Sequence, residues 1–100
     1  MKDLTKSEII NFLKNNREAI NSYGVRKIGL FGSYVRNRQS EKSDIDILVE
    51  FEPRNIPGLI MLSEMERYLQ RLRRKKVDVV IKSGIRPELK KGILKEVVYI

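Results

Sequence analysis

One hundred residues, 41% apolar and 34% charged with a net charge of +8, make a single domain spanning 1–100, with one core and no room for a second. Cysteine and histidine are both absent. That excludes disulfides, thiol catalysis, zinc–thiolate sites, serine–histidine triads and imidazole bases. Chemistry in this chain rests on carboxylates, hydroxyls, backbone N–H groups and a bound hard cation. The positive charge points to an anionic partner, or to nothing more than solvated Lys and Arg. No apolar run approaches the roughly 18 residues of a membrane helix. Met1–Thr5 leads into no signal-peptide core, so the expectation is a cytoplasmic protein with no membrane partner.

The chain order begins with a helix from Thr5 to about Ser22. Thr5-Lys6-Ser7-Glu8 has capping-box spacing. Ile9, Phe12, Leu13, Ala19 and Ile20 recur near helical spacing, and Gly24 is placed to end the helix. Val25–Phe31 reads as a strand stopped by Gly32-Ser33. Tyr34–Arg38 reads as a short helical turn, and 39–43 as a polar loop. Ile45–Phe51 is a second strand, and Pro53 and Pro57 bracket a turn. A second helix runs from Gly58 to Lys75, with Leu59, Leu62, Met65, Leu69 and Leu72 on one stripe. Val77–Ile81 is a third strand. A last helix runs from Pro87 to about Val98, with Leu89, Ile93, Leu94 and Val97 facing inward. Three strands with helices packed on them form a small sheet, parallel or mixed.

Three of the four Asp residues, Asp44, Asp46 and Asp78, fall at or within strands, where Asp is depleted. Asp44 and Asp46 are two apart and project from one strand face. Carboxylates this close repel one another, and burial makes their ionisation costly. A shared cation removes both problems. Three convergent carboxylates without His or Cys describe a hard-cation site suited to Mg²⁺ or Mn²⁺. Mg²⁺ borrows phosphate oxygens from its substrate, so the matching ligand is a nucleoside triphosphate. Gly32 lets the backbone approach a phosphate. The Ser33 hydroxyl and the N–H groups of the following turn can hold phosphate oxygens. Taken alone, Gly-Ser is a turn and Asp-x-Asp a cap. Together they form an ordered pattern: strand, Gly-Ser, ten residues, Asp-x-Asp, and a later strand Asp.

Gly32-Ser33-Tyr34-Val35-Arg36, Ser43-Asp44-Ile45-Asp46-Ile47-Leu48-Val49 and Val77-Asp78-Val79-Val80 resemble the minimal nucleotidyltransferases of the DNA polymerase β superfamily. The resemblance runs from about Val25 to Ile100. It implies an α+β fold, a small mixed sheet flanked by helices. It implies Mg²⁺ on Asp44 and Asp46, completed by Asp78, which would also help activate an acceptor hydroxyl. Gly32 and Ser33 would hold the triphosphate, with Arg36 as a phosphate contact or a surface ion pair. A nucleoside monophosphate, AMP from ATP, would pass to a hydroxyl and release pyrophosphate. The family often carries Gly after the motif Arg. Here it is Asn37, which tolerates left-handed geometry.

Members this short resemble the antitoxin half of two-gene toxin–antitoxin modules. Their partner is a HEPN-domain ribonuclease, thought to be silenced by AMP on a tyrosine. The alternative is an antitoxin that masks its toxin without catalysis, through a surface around Ile56, Ile60, Met61 and Tyr68. The basic run Arg71–Lys76 either contacts nucleic-acid phosphates or complements the helix dipole on a solvated face. The second reading is favoured, since no aromatic residues interleave the run.

Overall fold

A computed structural model describes residues 4–40, 42–52, 54, 58–73 and 75–100, leaving aside the side chains of residues 59, 72 and 73. Thr5 caps the first helix, α1 (Lys6–Asn15). Its Oγ1 accepts the Glu8 N–H at 3.2 Å and its hydroxyl donates to Glu8 Oε1 at 3.1 Å, satisfying a first-turn donor. The single helix expected through Ser22 is broken at Asn16, and α2 (Arg17–Asn21) follows. The Asn16 amide donates to the Phe12 carbonyl at 2.9 Å and accepts from the Tyr68 hydroxyl at 3.2 Å. A side chain that competes for a main-chain carbonyl interrupts a helix.

Four strands form the sheet: β1 (Val25–Phe31), β2 (Ile45–Phe51), β3 (Val77–Ile81) and β4 (Val98–Tyr99). Their spatial order is β3-β2-β1-β4. β1 runs antiparallel to β2 and β4, while β2 and β3 are parallel. Parallel neighbours need a crossover, and α3 (Leu59–Arg73) supplies it. The sheet is therefore mixed and the class α+β.

On β2, Ile45, Ile47, Val49 and Phe51 join Ile9, Leu13, Met65 and Leu69 in the core between the sheet and the helices. Strand alternation sends Asp46, Leu48 and Glu50 to the opposite face. On β3, Val77 is buried, and Val79 and Ile81 pack against the same core, which leaves Asp78 and Val80 on the Asp46 face. β3 is an edge strand, and α3 covers part of it. The Val77 N–H donates to Gln70 Oε1 at 3.2 Å and the Val79 N–H to Glu66 Oε1 at 3.3 Å.

The last segment departs from expectation. The helix α4 (Pro87–Glu96) ends two residues early, and Val97 is extended. Val98 and Tyr99 then pair with Leu30 and Gly29 as a fourth strand. The β-branched and aromatic run Val97–Ile100 prefers the pleated surface. Gly29 permits the approach, since a Cβ there would lie 2.6 Å from Val97 Cγ2. Leu89, expected to face inward, is 55% exposed, and no residue of α4 is fully buried. Pro53, Ile56, Pro57 and Arg74 lie outside the described residues.

Candidate active site

Register brings the motifs together. Phe31 at the end of β1 pairs with Asp46, and Asp46 pairs across the parallel ladder with Asp78. Gly32, directly after Phe31, therefore sits against Asp46. Neighbouring strands are about 4.8 Å apart, so Gly32, Asp46 and Asp78 form a row on one face. Asp44 precedes β2 on the same side, two residues from Asp46.

Gly32 has φ +84°, and a Cβ at that position would collide with the Asp46 carboxylate. Both the left-handed backbone and the absence of a side chain are needed there. The turn that follows is one tight coil: the Val35 and Arg36 N–H groups donate to the Gly32 carbonyl at 3.0 and 3.2 Å. Tyr34 is buried beneath it, and Ser33 is half-buried. Asn37 adopts φ +57°, so the turn survives the departure from glycine.

Burial, then the Asp78 and Asp44 carboxylates, push the Asp46 carboxyl up to about 6. Arg36 opposes this and Glu96 adds to it. Asp44 leans toward Lys76, Oδ2 to Nζ 3.7 Å. Among the described residues, no three acidic side chains enclose a common point as they stand. The donor set nevertheless suits a hard divalent cation: only carboxylate oxygens, converging charge on Asp46, and a glycine cradle beside it.

One residue of this site was missed by sequence reasoning. Glu96 Oε1 accepts the Gly32 N–H at 2.9 Å, and its Oε2 pairs with Arg36 Nη1 at 3.3 Å. A carboxylate in the last turn of a helix opposes the helix dipole, and that misplacement is the available signal. Here the anion is held instead by a backbone N–H and a guanidinium, so the Gly32–Arg36 turn already seats a negative charge. The ion-pair reading of Arg36 matches this arrangement. Of the basic run, Lys76 reaches Asp44, and the Lys75 ammonium lies 5.6 Å from the Tyr34 ring centroid. Of the proposed masking surface, Ile60 and Met61 are exposed. Tyr68 is not: it is half-buried, bonded to Asn16 and tilted against Tyr23.

Residues 7–100 match the family described as "Nucleotidyltransferase domain". A relative named protein adenylyltransferase MntA, from Thermococcus cleftensis, is 45% identical over 98 residues, covering 97% of each chain. Among solved structures, one described provisionally as a minimal nucleotidyltransferase superposes with a TM-score of 0.81. It shares 24% identity over 98% of both chains, and that likeness speaks for the fold. A crystal structure of a toxin–antitoxin with AMP-PNP gives a TM-score of 0.70 at 26% identity, covering 96% of this chain and 72% of that one. A tri-AMPylated Shewanella oneidensis HEPN toxin in complex with its MNT antitoxin gives 0.61 at 23%, covering 94% and 66%.

Proposed function

Because this chain belongs to the nucleotidyltransferase domain family, we propose that it transfers AMP from ATP to a tyrosine of a HEPN-domain toxin and so acts as its antitoxin. The observation that carries the reading is the row of Gly32, Asp46 and Asp78 on one sheet face. There a carboxylate pushed up by burial and by its neighbours stands beside a turn that holds an anion.

Asp44, Asp46 and Asp78 would hold Mg²⁺, with Mn²⁺ as the substitute. The ion would neutralise phosphate oxygens and relieve the repulsion between the carboxylates. The chain's own groups do the rest. The Gly32 N–H, the Ser33 hydroxyl and the Arg36 guanidinium bind the triphosphate, which takes the donors that Glu96 holds in its absence. Asp78 accepts the proton of the acceptor hydroxyl. The acceptor oxygen bonds to the α-phosphorus, the bond from that phosphorus to the bridging oxygen breaks, and pyrophosphate leaves. A reaction drawing on ATP and Mg²⁺ fits a cytoplasmic protein. Among the described residues no helix is long and apolar enough to cross a membrane.

The test is label transfer. The purified protein is incubated with Mg²⁺, each α-labelled nucleoside triphosphate in turn, and the HEPN-domain protein proposed as its partner. A labelled band of the HEPN protein with ATP, absent for Asp44→Ala/Asp46→Ala, is the expected result. No label with any triphosphate from a folded protein refutes it. The masking alternative is favoured by the exposed Ile60 and Met61 on α3, 77% and 41% accessible. Rescue of cells by Asp44→Ala/Asp46→Ala would support masking.

A further inference from the structure

A cleft of about 480 Å³ opens beside Asp46 and Asp78 and is lined on its other side by Ile85, Leu89 and Ile93, with Phe31 at one end. Its size falls in the range of small-ligand sites, roughly 300–1,000 Å³. The helix that forms its outer wall is unusual: α4 has no fully buried residue, and Leu89 is 55% exposed. Leu89 and Ile93 of α4 thus line a gap that also holds the Asp46, Asp78 and Glu66 carboxylates and Arg86. Apolar surface arranged around a few convergent polar groups is the make-up of a binding site.

The order of the sheet says which part of the reaction this cleft serves. The anion seat, Gly32 N–H and Arg36, lies on the β1 side. Asp46 lies on β2 and Asp78 on β3. In an in-line transfer the leaving and entering oxygens occupy opposite sides of the phosphorus. Pyrophosphate held on the β1 side therefore puts the entering oxygen on the β3 side, beside Asp78, where the cleft opens.

We infer that the cleft between β3 and α4 is the acceptor site, and that Ile85, Leu89 and Ile93 select a phenolic hydroxyl over an aliphatic one. This rests on the function proposed above. A tyrosyl side chain buries an apolar ring and presents one hydroxyl at its tip. Its ring covers the apolar walls while the hydroxyl reaches Asp78. Serine and threonine place their hydroxyl on a short stem that leaves those walls wet. The atoms balance as in the reaction above: the phenolic oxygen bonds to the α-phosphorus, pyrophosphate departs, and the phenolic proton passes to Asp78.

Two measurements test it. In methyl-labelled protein, N-acetyl-L-tyrosinamide should shift the methyl resonances of Ile85, Leu89 and Ile93. N-acetyl-L-serinamide should not, and ATP should move the Gly32 and Ser33 amides instead. Equal shifts from the serine probe, no shift from the tyrosine probe, or methyl shifts from ATP alone each overturn the assignment; the last gives the cleft to the nucleoside. Leu89→Asp, at an exposed position that leaves the core intact, should lower label transfer to the HEPN protein on the order of tenfold or more with ATP affinity unchanged. Unchanged transfer, or ATP binding weakened by the same factor, contradicts it. If the unsubstituted protein labels no HEPN protein, the proposed function fails, while the resonance shifts still decide what the cleft binds.

Discussion

Asp46 shows how a sequence oddity becomes chemistry. An aspartate inside a strand is costly, and here burial with two neighbouring carboxylates raises it to about 6. A raised carboxyl favours the folded state while protonated. That contribution is complete below the ordinary value of 3.8 and is lost as pH rises through about 6. Asp46→Asn should therefore stabilise the metal-free protein at pH 8. The gain should be on the order of 1 kcal/mol, once a half-exposed group is discounted for solvent screening, and should vanish below pH 4. Thermal melts across that range check it; a variant less stable at pH 8 contradicts the origin given for the shift. The three Asp residues were legible because each breaks a local preference. Glu96 was not, because its partners Gly32 and Arg36 lie 64 and 60 positions away. Glu96→Gln keeps an oxygen for the Gly32 N–H and removes the charge that competes with phosphate. ATP should bind it about threefold more tightly, the worth of one exposed ion pair, as read by titration calorimetry. Weaker binding would make Glu96 a support of the seat and not its occupant.

At the level of elements, periodicity read the core well where one face is buried. The β2 alternation and the Met65–Leu69 stripe of α3 are both found. It failed where a side chain or a distant strand decides. The α1–α2 break depends on Asn16 reaching both Phe12 and Tyr68, and β4 forms because Gly29 admits it. Neither is visible in a local window. The same limit hid the protection of the β3 edge. Glu66 and Gln70, one helical turn apart, take the Val79 and Val77 N–H groups and leave β3 less open to pairing with another chain. Glu66→Ala with Gln70→Ala should cost about 2 kcal/mol, roughly 1 for each bond, and promote self-association. Calorimetry and light scattering measure both. A variant as stable and as monodisperse as the parent would show that water serves these donors equally well.

For the whole molecule, the division of the sheet into two faces is the organising fact. One face carries the core against α1 and α3. The other carries a row of catalytic candidates under a loosely packed α4. The charge of +8 suits a triphosphate and an acidic partner alike, so it narrows the ligand less than the three carboxylates do. The most direct measurement is the intact mass of the proposed HEPN-domain partner, coexpressed with the unsubstituted protein and with Asp46→Asn. The account predicts a partner heavier by one or more AMP groups, on tyrosine, with the first and unmodified with the second. An unmodified partner in both, with its toxicity still suppressed, would contradict it.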